Sequence, residues 1–266
     1  MNTTGQRRRP SSPMPTPLLA ALRAACDPRR QRDLAGYFGR AAGTAGPFPG
    51  LTAVAARRVA RRFAPRLRQS QVRALLASRV DEHRFVALQM LVRDYQAGGS
   101  ADRERIAKLY LRNLRHVDHW VLVDTSAPYI VGDHLKDRSR RILFQLAGSK
   151  DFVRRRLAIL ATLAFIRAGD FADTLRLAAA LLRDEHPLVQ RAVGWMLREV
   201  GKRAPATLAR FLRNHAGQMP RLMLRYAIES FPARARAKYL VTGSVASLSK
   251  DKKRGTRNEG DRHEAR

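Results

Sequence analysis

The chain has 266 residues, 45% of them hydrophobic, with 52 Lys and Arg against 22 Asp and Glu, a net charge of +30 and a pI of about 11.7. That apolar content supports a substantial core, in one large domain or a repeat array, and excludes a charged coil. A pI so high points to a polyanionic partner, with nucleic acid first among them.

The N-terminal Arg7-Arg8-Arg9 run followed by Leu18 to Leu22 only faintly resembles a signal peptide, because Arg23 and Asp27 interrupt the apolar part. Cys26 is alone, so no intramolecular disulfide can form, and the chain is expected in a reducing cytoplasm, associated with the nucleoid. Residues 1–13 and 244–266 lack apolar anchors and are expected to be disordered basic tails around a folded domain at 14–243. Most of the positive charge therefore belongs to the folded body.

Between the tails, period-2 alternation is almost absent, whereas Phe152, Val153, Leu157, Leu160 and Leu163 recur at helical spacing, as do Leu188, Val193, Met196 and Val200. The chain is expected to be all-α. Breakers fall at Asp27-Pro28, Gly43 to Gly50, Gly98-Gly99-Ser100, Gly148-Ser149, Gly169-Asp170, His186-Pro187 and Gly217, leaving helices of ordinary length joined by short links. Three helix-opening segments resemble one another: Asp81-Glu82-His83, Ser149-Lys150-Asp151 and Asp184-Glu185-His186. Their uneven spacing, in multiples of about 35 residues, suits a degenerate HEAT-like solenoid better than a compact bundle. The longest apolar run, Leu157 to Ile166, is about half of the roughly 20 residues needed to span a membrane, so no membrane segment is expected.

The stretch from His116 to Leu135 holds Trp120 and Asp124 four residues apart. On a helix these are neighbours, so a base or sugar packed on the indole would lie close to a carboxylate. Read alone, Asp124 serves equally as a cap for the turn before Pro128 or as an ion-pair partner, and a lone Trp at helical spacing is usually core. His116, Asp118 and His119 resemble a metal set, but no further ligand pair stands at zinc-type spacing, and neither a metal nor a cofactor is expected. Lys150, Arg154, Arg155 and Arg156 cluster at one helix start, and Arg198, Lys202 and Arg203 near another helix end, two rows of cations for phosphates. Lys202 and Arg203 also suit the helix macrodipole alone. Gly194 beside Trp195 implies a close approach to that helix, by a ligand or by another helix.

Several blocks in order then resemble the DNA alkylation-repair family of HEAT-like glycosylases (AlkD-like), over about Tyr37 to Leu240. They are Trp120 to Asp124 with Ser126-Ala127-Pro128 and Val131-Gly132, Arg156 to Ile159, Arg191 to Arg203, and Met219 to Glu229. The resemblance implies a solenoid with a concave basic face that holds duplex DNA by its backbone and leaves the lesion largely stacked. It implies that Asp124 is the catalytic carboxylate, Arg156 a partner near the DNA backbone, and Trp120 and Trp195 aromatic walls, with Tyr37 as a looser match in the first helical unit. Val121 departs from the acidic residue usual after the tryptophan, and Val54 from a proline.

The chemistry that follows is hydrolysis of the N-glycosidic bond of cationic purines such as N7-methylguanine and N3-methyladenine. Such a base already carries the positive charge that makes it a good leaving group, so what remains is to stabilise the cationic sugar. A carboxylate about 4 Å away contributes roughly 4 kcal/mol at an effective dielectric of about 20, or about a thousandfold in rate. The expected partner is duplex DNA with alkylated bases, met by a monomer with no membrane involved. The alternatives are a non-catalytic HEAT-type scaffold for nucleic acid or an acidic protein, and an RNA-binding module, which an aromatic content of 7% disfavours.

Overall fold

A computed structural model of the chain describes residues 15–27 and 51–240, and the regular elements among them are all helical. Tyr37, the loop expected around Gly43 to Gly50, and the two basic tails lie outside the described residues. The expected all-α, helical-repeat fold is what the structure has, with no strand among the described residues. No helix among them is long and apolar enough to cross a membrane. Contacts group the chain into two compact units, Met1–His134 and Leu135–Arg266.

In the first unit, α1 (Thr16–Ala25) packs on α2 (Ala53–Phe63), which with α3 (Gln69–Leu76) and α5 (Ser100–Arg112) surrounds α4 (Asp81–Ala97). Helix α2 is sharply amphipathic: Ala56, Val59, Ala60 and Phe63 are buried, while Arg57, Arg58, Arg61 and Arg62 are exposed. It opens where the Thr52 hydroxyl accepts from the Ala55 amide at 3.1 Å. Helix α4 buries Phe85 through Leu91 without interruption, as an element covered on all sides must. Its first turn is tied down by Arg84, which donates to the Ser78 carbonyl at 2.8 Å, to Asp81, and to Asp118 at 3.1 Å. Gly98 ends it, and Ser100 begins the next helix, as the glycine pair in the sequence requires. Two short elements follow, α6 (Trp120–Asp124) and a π-helical turn at Pro128–Gly132 that packs on α4 and α5.

The second unit includes α7 (Arg141–Ala147), α8 (Phe152–Ala161), α9 (Leu163–Arg167), α10 (Ala172–Ala180), α11 (Pro187–Arg203), α12 (Pro205–His215) and α13 (Arg221–Ala227). Helix α11 is its centre, packed on α8, α10, α12 and α13. The Asp151 carboxylate caps α8 by accepting from the Val153 amide at 2.9 Å, and His186 Nδ1 caps α11 by accepting from the Leu188 amide at 3.2 Å. The His186 ring also stacks on Phe152 at 3.7 Å between centroids, locking the two helix starts together. All three of the similar segments noted in the sequence lie at helix starts: those of α4, α8 and α11.

Candidate active site

Asp124 ends α6, a helix of only five residues, and local hydrogen bonding accounts for that brevity. His119 Nδ1 accepts from the Val121 amide at 3.3 Å at one end. At the other, the Thr125 hydroxyl donates back to the Val121 carbonyl at 2.8 Å and the Ser126 hydroxyl to the Leu122 carbonyl, competing with a further helical turn. Because Ser126 gives its only proton to a carbonyl, Tyr110 is the donor in the 2.9 Å bond between its hydroxyl and Ser126 Oγ. Gln89 Nε2 donates to the Thr125 carbonyl at 3.4 Å. The backbone on either side of the carboxylate is thus held from α4 and from α5.

Leu122 and Val123 point into the core with no exposure, which leaves Asp124 and Thr125 half-buried on the other side. Both line a cavity of about 440 Å³, together with Gln89 and Arg93 of α4, Tyr129 of the π-helical turn, and Arg57 and Arg61 of α2. Arg93 is paired with Asp94 at 2.7 Å, whereas Arg57 and Arg61, one turn apart, have no ion-pair partner among the described residues. One carboxylate facing guanidinium groups suits a ligand with anionic and cationic parts. Burial raises the Tyr110 phenol well above its ordinary pKa; its bond to Ser126 offsets part of that rise, and the nearby Asp124 charge adds to it.

Trp120 shares the face of α6 with Asp124 but does not line this cavity; it lies half-buried beside His119, 5.7 Å between ring centroids. His119 and Asp118, two of the three residues with metal-like spacing, serve as the helix cap and the Arg84 partner, and no group of three possible ligands occurs among the described residues.

In the second unit, the cation cluster at the start of α8 divides. Arg155 is held by Asp184 at 2.6 and 3.3 Å and donates to the carbonyls of Ser149 and Lys150, both at 2.9 Å. Arg156 is only 5% exposed and donates to the Leu188 carbonyl at the start of α11. Lys150 and Arg154 face solvent, Arg154 only loosely associated with Asp151 at 3.7 Å. At the other end of α11, Glu199 collects Lys202 at 2.8 Å, Arg203 at 3.1 Å and a hydrogen bond from Trp195. Burial pushes the Glu199 carboxyl up, but these donors together outweigh it and hold its pKa below the ordinary value. Arg198 pairs with Glu229, and Arg203 also donates to the Glu199 carbonyl at 3.2 Å, the helix-end use that its position allows. Gly194 is explained by packing: a Cβ there would lie 2.5 Å from the Met223 carbonyl oxygen and from Tyr226 Cβ on α13.

Arg57, Arg61, Gln89 and Tyr129 were not singled out from the sequence. The signal for the arginines was present as two Arg pairs spaced four residues apart on one amphipathic helix; for Gln89 and Tyr129 only the fold supplies it.

An all-α repeat protein with an acid-bearing basic cavity is the class these features define. The model of the family described as DNA alkylation repair enzyme matches residues 18–231, and the chain belongs to that family. Its fold is similar to that of a solved structure from Enterococcus faecalis, described as a predicted DNA alkylation repair enzyme, with a TM-score of 0.60. The two are 15% identical over 78% of this chain and 97% of that chain, so this likeness bears on fold alone. No curated protein matches the chain.

Proposed function

We propose that the protein is a monofunctional DNA glycosylase that hydrolyses the N-glycosidic bond of cationic alkylated purines, N7-methylguanine and N3-methyladenine, in duplex DNA. The observation that carries the reading is Asp124 in a cavity walled by Arg57, Arg61 and Arg93. A nucleotide bearing such a lesion has a negative phosphate and a base that leaves as a neutral molecule, so positive charge passes to the sugar as the bond breaks. Guanidinium groups answer the phosphate throughout, while Asp124 answers a charge that develops only in the transition state, which is the condition for raising a rate rather than an affinity. Trp120, one turn before Asp124, is the aromatic that this reading gives to the lesion nucleotide, and Tyr37 keeps the looser place that the family pattern gives it. In the second unit, Lys150 and Arg154 are the solvent-facing cations assigned to the DNA backbone, and Trp195 the aromatic assigned to nucleotide contact.

Purified protein incubated with methylated duplex DNA is expected to release N7-methylguanine or N3-methyladenine and leave abasic sites. Asp124→Asn is expected to bind the DNA as before and excise at least about a hundredfold more slowly, as removal of one charge-stabilising group does elsewhere. No release by the wild-type protein, or full release by the variant, overturns the reading. DNA binding by both proteins with release by neither is the signature of a non-catalytic scaffold.

A further inference from the structure

Gln89 sits where a polar residue is costly. Its neighbours in α4, Leu88 and Met90, are fully buried, and Gln89 itself is 5% exposed. A side-chain amide in such surroundings is unfavourable unless its polar atoms are satisfied, and a Leu would pack at least as well. Half of that amide is accounted for. The Thr125 carbonyl can only accept, so the nitrogen of Gln89 is the end that faces it, at 3.4 Å. Oε1 is then the other end: it accepts no hydrogen bond among the described residues, yet it is not sealed among the buried unpartnered atoms, and the side chain lines the Asp124 cavity.

We infer that Gln89 Oε1 and the Asp124 carboxylate together hold the attacking water. This inference rests on the glycosylase reading. A water molecule attacks through a lone pair, so both of its hydrogens are best taken by acceptors, each within about 3 Å of its oxygen. The arginines lining the cavity cannot serve, since guanidinium groups only donate. Asp124 is one acceptor. Gln89 is the second, and being neutral it does not compete with Asp124 for the proton. In the reaction, the bond from C1′ to the base nitrogen breaks and its electron pair leaves with the purine, cancelling the charge of the base. The water oxygen bonds to C1′, one of its protons passes to Asp124, and the other stays on the new hydroxyl, which remains hydrogen-bonded to Gln89. Of the reacting groups Gln89 touches the water alone, while its nitrogen stays on the Thr125 carbonyl, and it is in that sense a positioning residue.

The test uses the full chain and a duplex containing one N7-methylguanine, under single-turnover conditions, in water and in water with added methanol. Methanol has one hydrogen to donate, and its methyl group meets Gln89 unfavourably, so the wild-type protein is expected to yield mainly the abasic sugar. Gln89→Leu removes the acceptor together with the 3.4 Å bond to the Thr125 carbonyl, and leaves an apolar wall. It is expected to melt close to the wild type, the lost bond being long and the apolar burial offsetting it, to bind DNA equally well, and to excise roughly tenfold more slowly, the worth of one hydrogen bond made in the transition state. In methanol, its ratio of methyl glycoside to abasic sugar is expected to rise. Gln89→Met, unbranched and of similar length, repeats the measurement if the Leu variant does not fold. Variants that excise at the wild-type rate with the wild-type product ratio overturn the inference while leaving the glycosylase reading intact. So does a rate loss that follows DNA affinity or melting temperature with no change of ratio. No base release by the wild-type protein overturns both.

Discussion

Glu82 is a carboxyl group with almost no water around it: it is 5% exposed, and its Oε1 has no hydrogen-bond partner. Burial pushes its pKa from 4.5 up to about 7; its own backbone amide and Arg84 oppose the rise, and the charge of Asp81 adds to it. The Cys26 thiol is also raised, chiefly by burial and further by the Glu82 charge, which places the two groups close together. Since the folded protein holds this proton more tightly than the unfolded chain does, the group contributes stability in full below pH 4.5 and loses it as pH rises through about 7. The loss is on the order of 3 kcal/mol. Glu82→Gln carries no charge at any pH, so denaturation midpoints compared at about pH 5 and about pH 8 are expected to fall for the wild type and much less for the variant. A fall of equal size in both proteins counts against this assignment. Nothing in the sequence marked Glu82 out, because Asp81-Glu82-His83 reads as an ordinary acidic helix start; only the fold puts one of its members under the core.

At the scale of the element, two glycines in α11 separate packing from propensity. A Cβ at Gly194 would meet a backbone oxygen and the root of a side chain at 2.5 Å, neither of which can move without shifting α13. At Gly201 the nearest atom is Leu208 Cδ2 at 2.4 Å, the far end of a side chain rather than backbone. Gly194→Ala is therefore expected to cost about 1–3 kcal/mol as overpacking. Gly201→Ala is expected to cost less, because a side-chain tip gives more readily than backbone and removing a glycine from a helix returns up to roughly 0.5–1 kcal/mol. Urea denaturation of the two variants checks the contrast, and equal costs would argue against it. Helix boundaries of this kind were legible because their signals are local: Gly98, Gly148, His186 and Asp151 each act on the backbone beside them. The anchoring of the backbone beside Asp124 was less legible, since Gln89 and Tyr110, which hold it, are distant in sequence and adjacent only in the fold.

For the molecule as a whole, the sequence tells how many cations there are but not which of them are engaged. The clusters read at 150–156 and 198–203 turn out to hold Arg155 on Asp184, Arg198 on Glu229, and Lys202 and Arg203 on Glu199. Arg57 and Arg61, which no motif marked, have no such partner among the described residues. If they meet phosphates, each adds about 0.9 to the slope of log affinity against log salt for duplex DNA. The Arg57→Ala, Arg61→Ala double variant is expected to lower that slope by roughly two. An unchanged slope would remove these two residues from the DNA contact. The residues that surround Asp124 were thus less readable than the carboxylate itself, whose spacing from Trp120 is a matter of one helical turn. The bonds from Gln89 and from Tyr110 through Ser126 have one more consequence, for heat. A carboxylate whose supporting backbone is stitched to two core helices has no softer hinge of its own. On the glycosylase reading, base excision is then expected to be lost on warming only as the helices around α4 melt, with no temperature range in which the protein is folded but already inert.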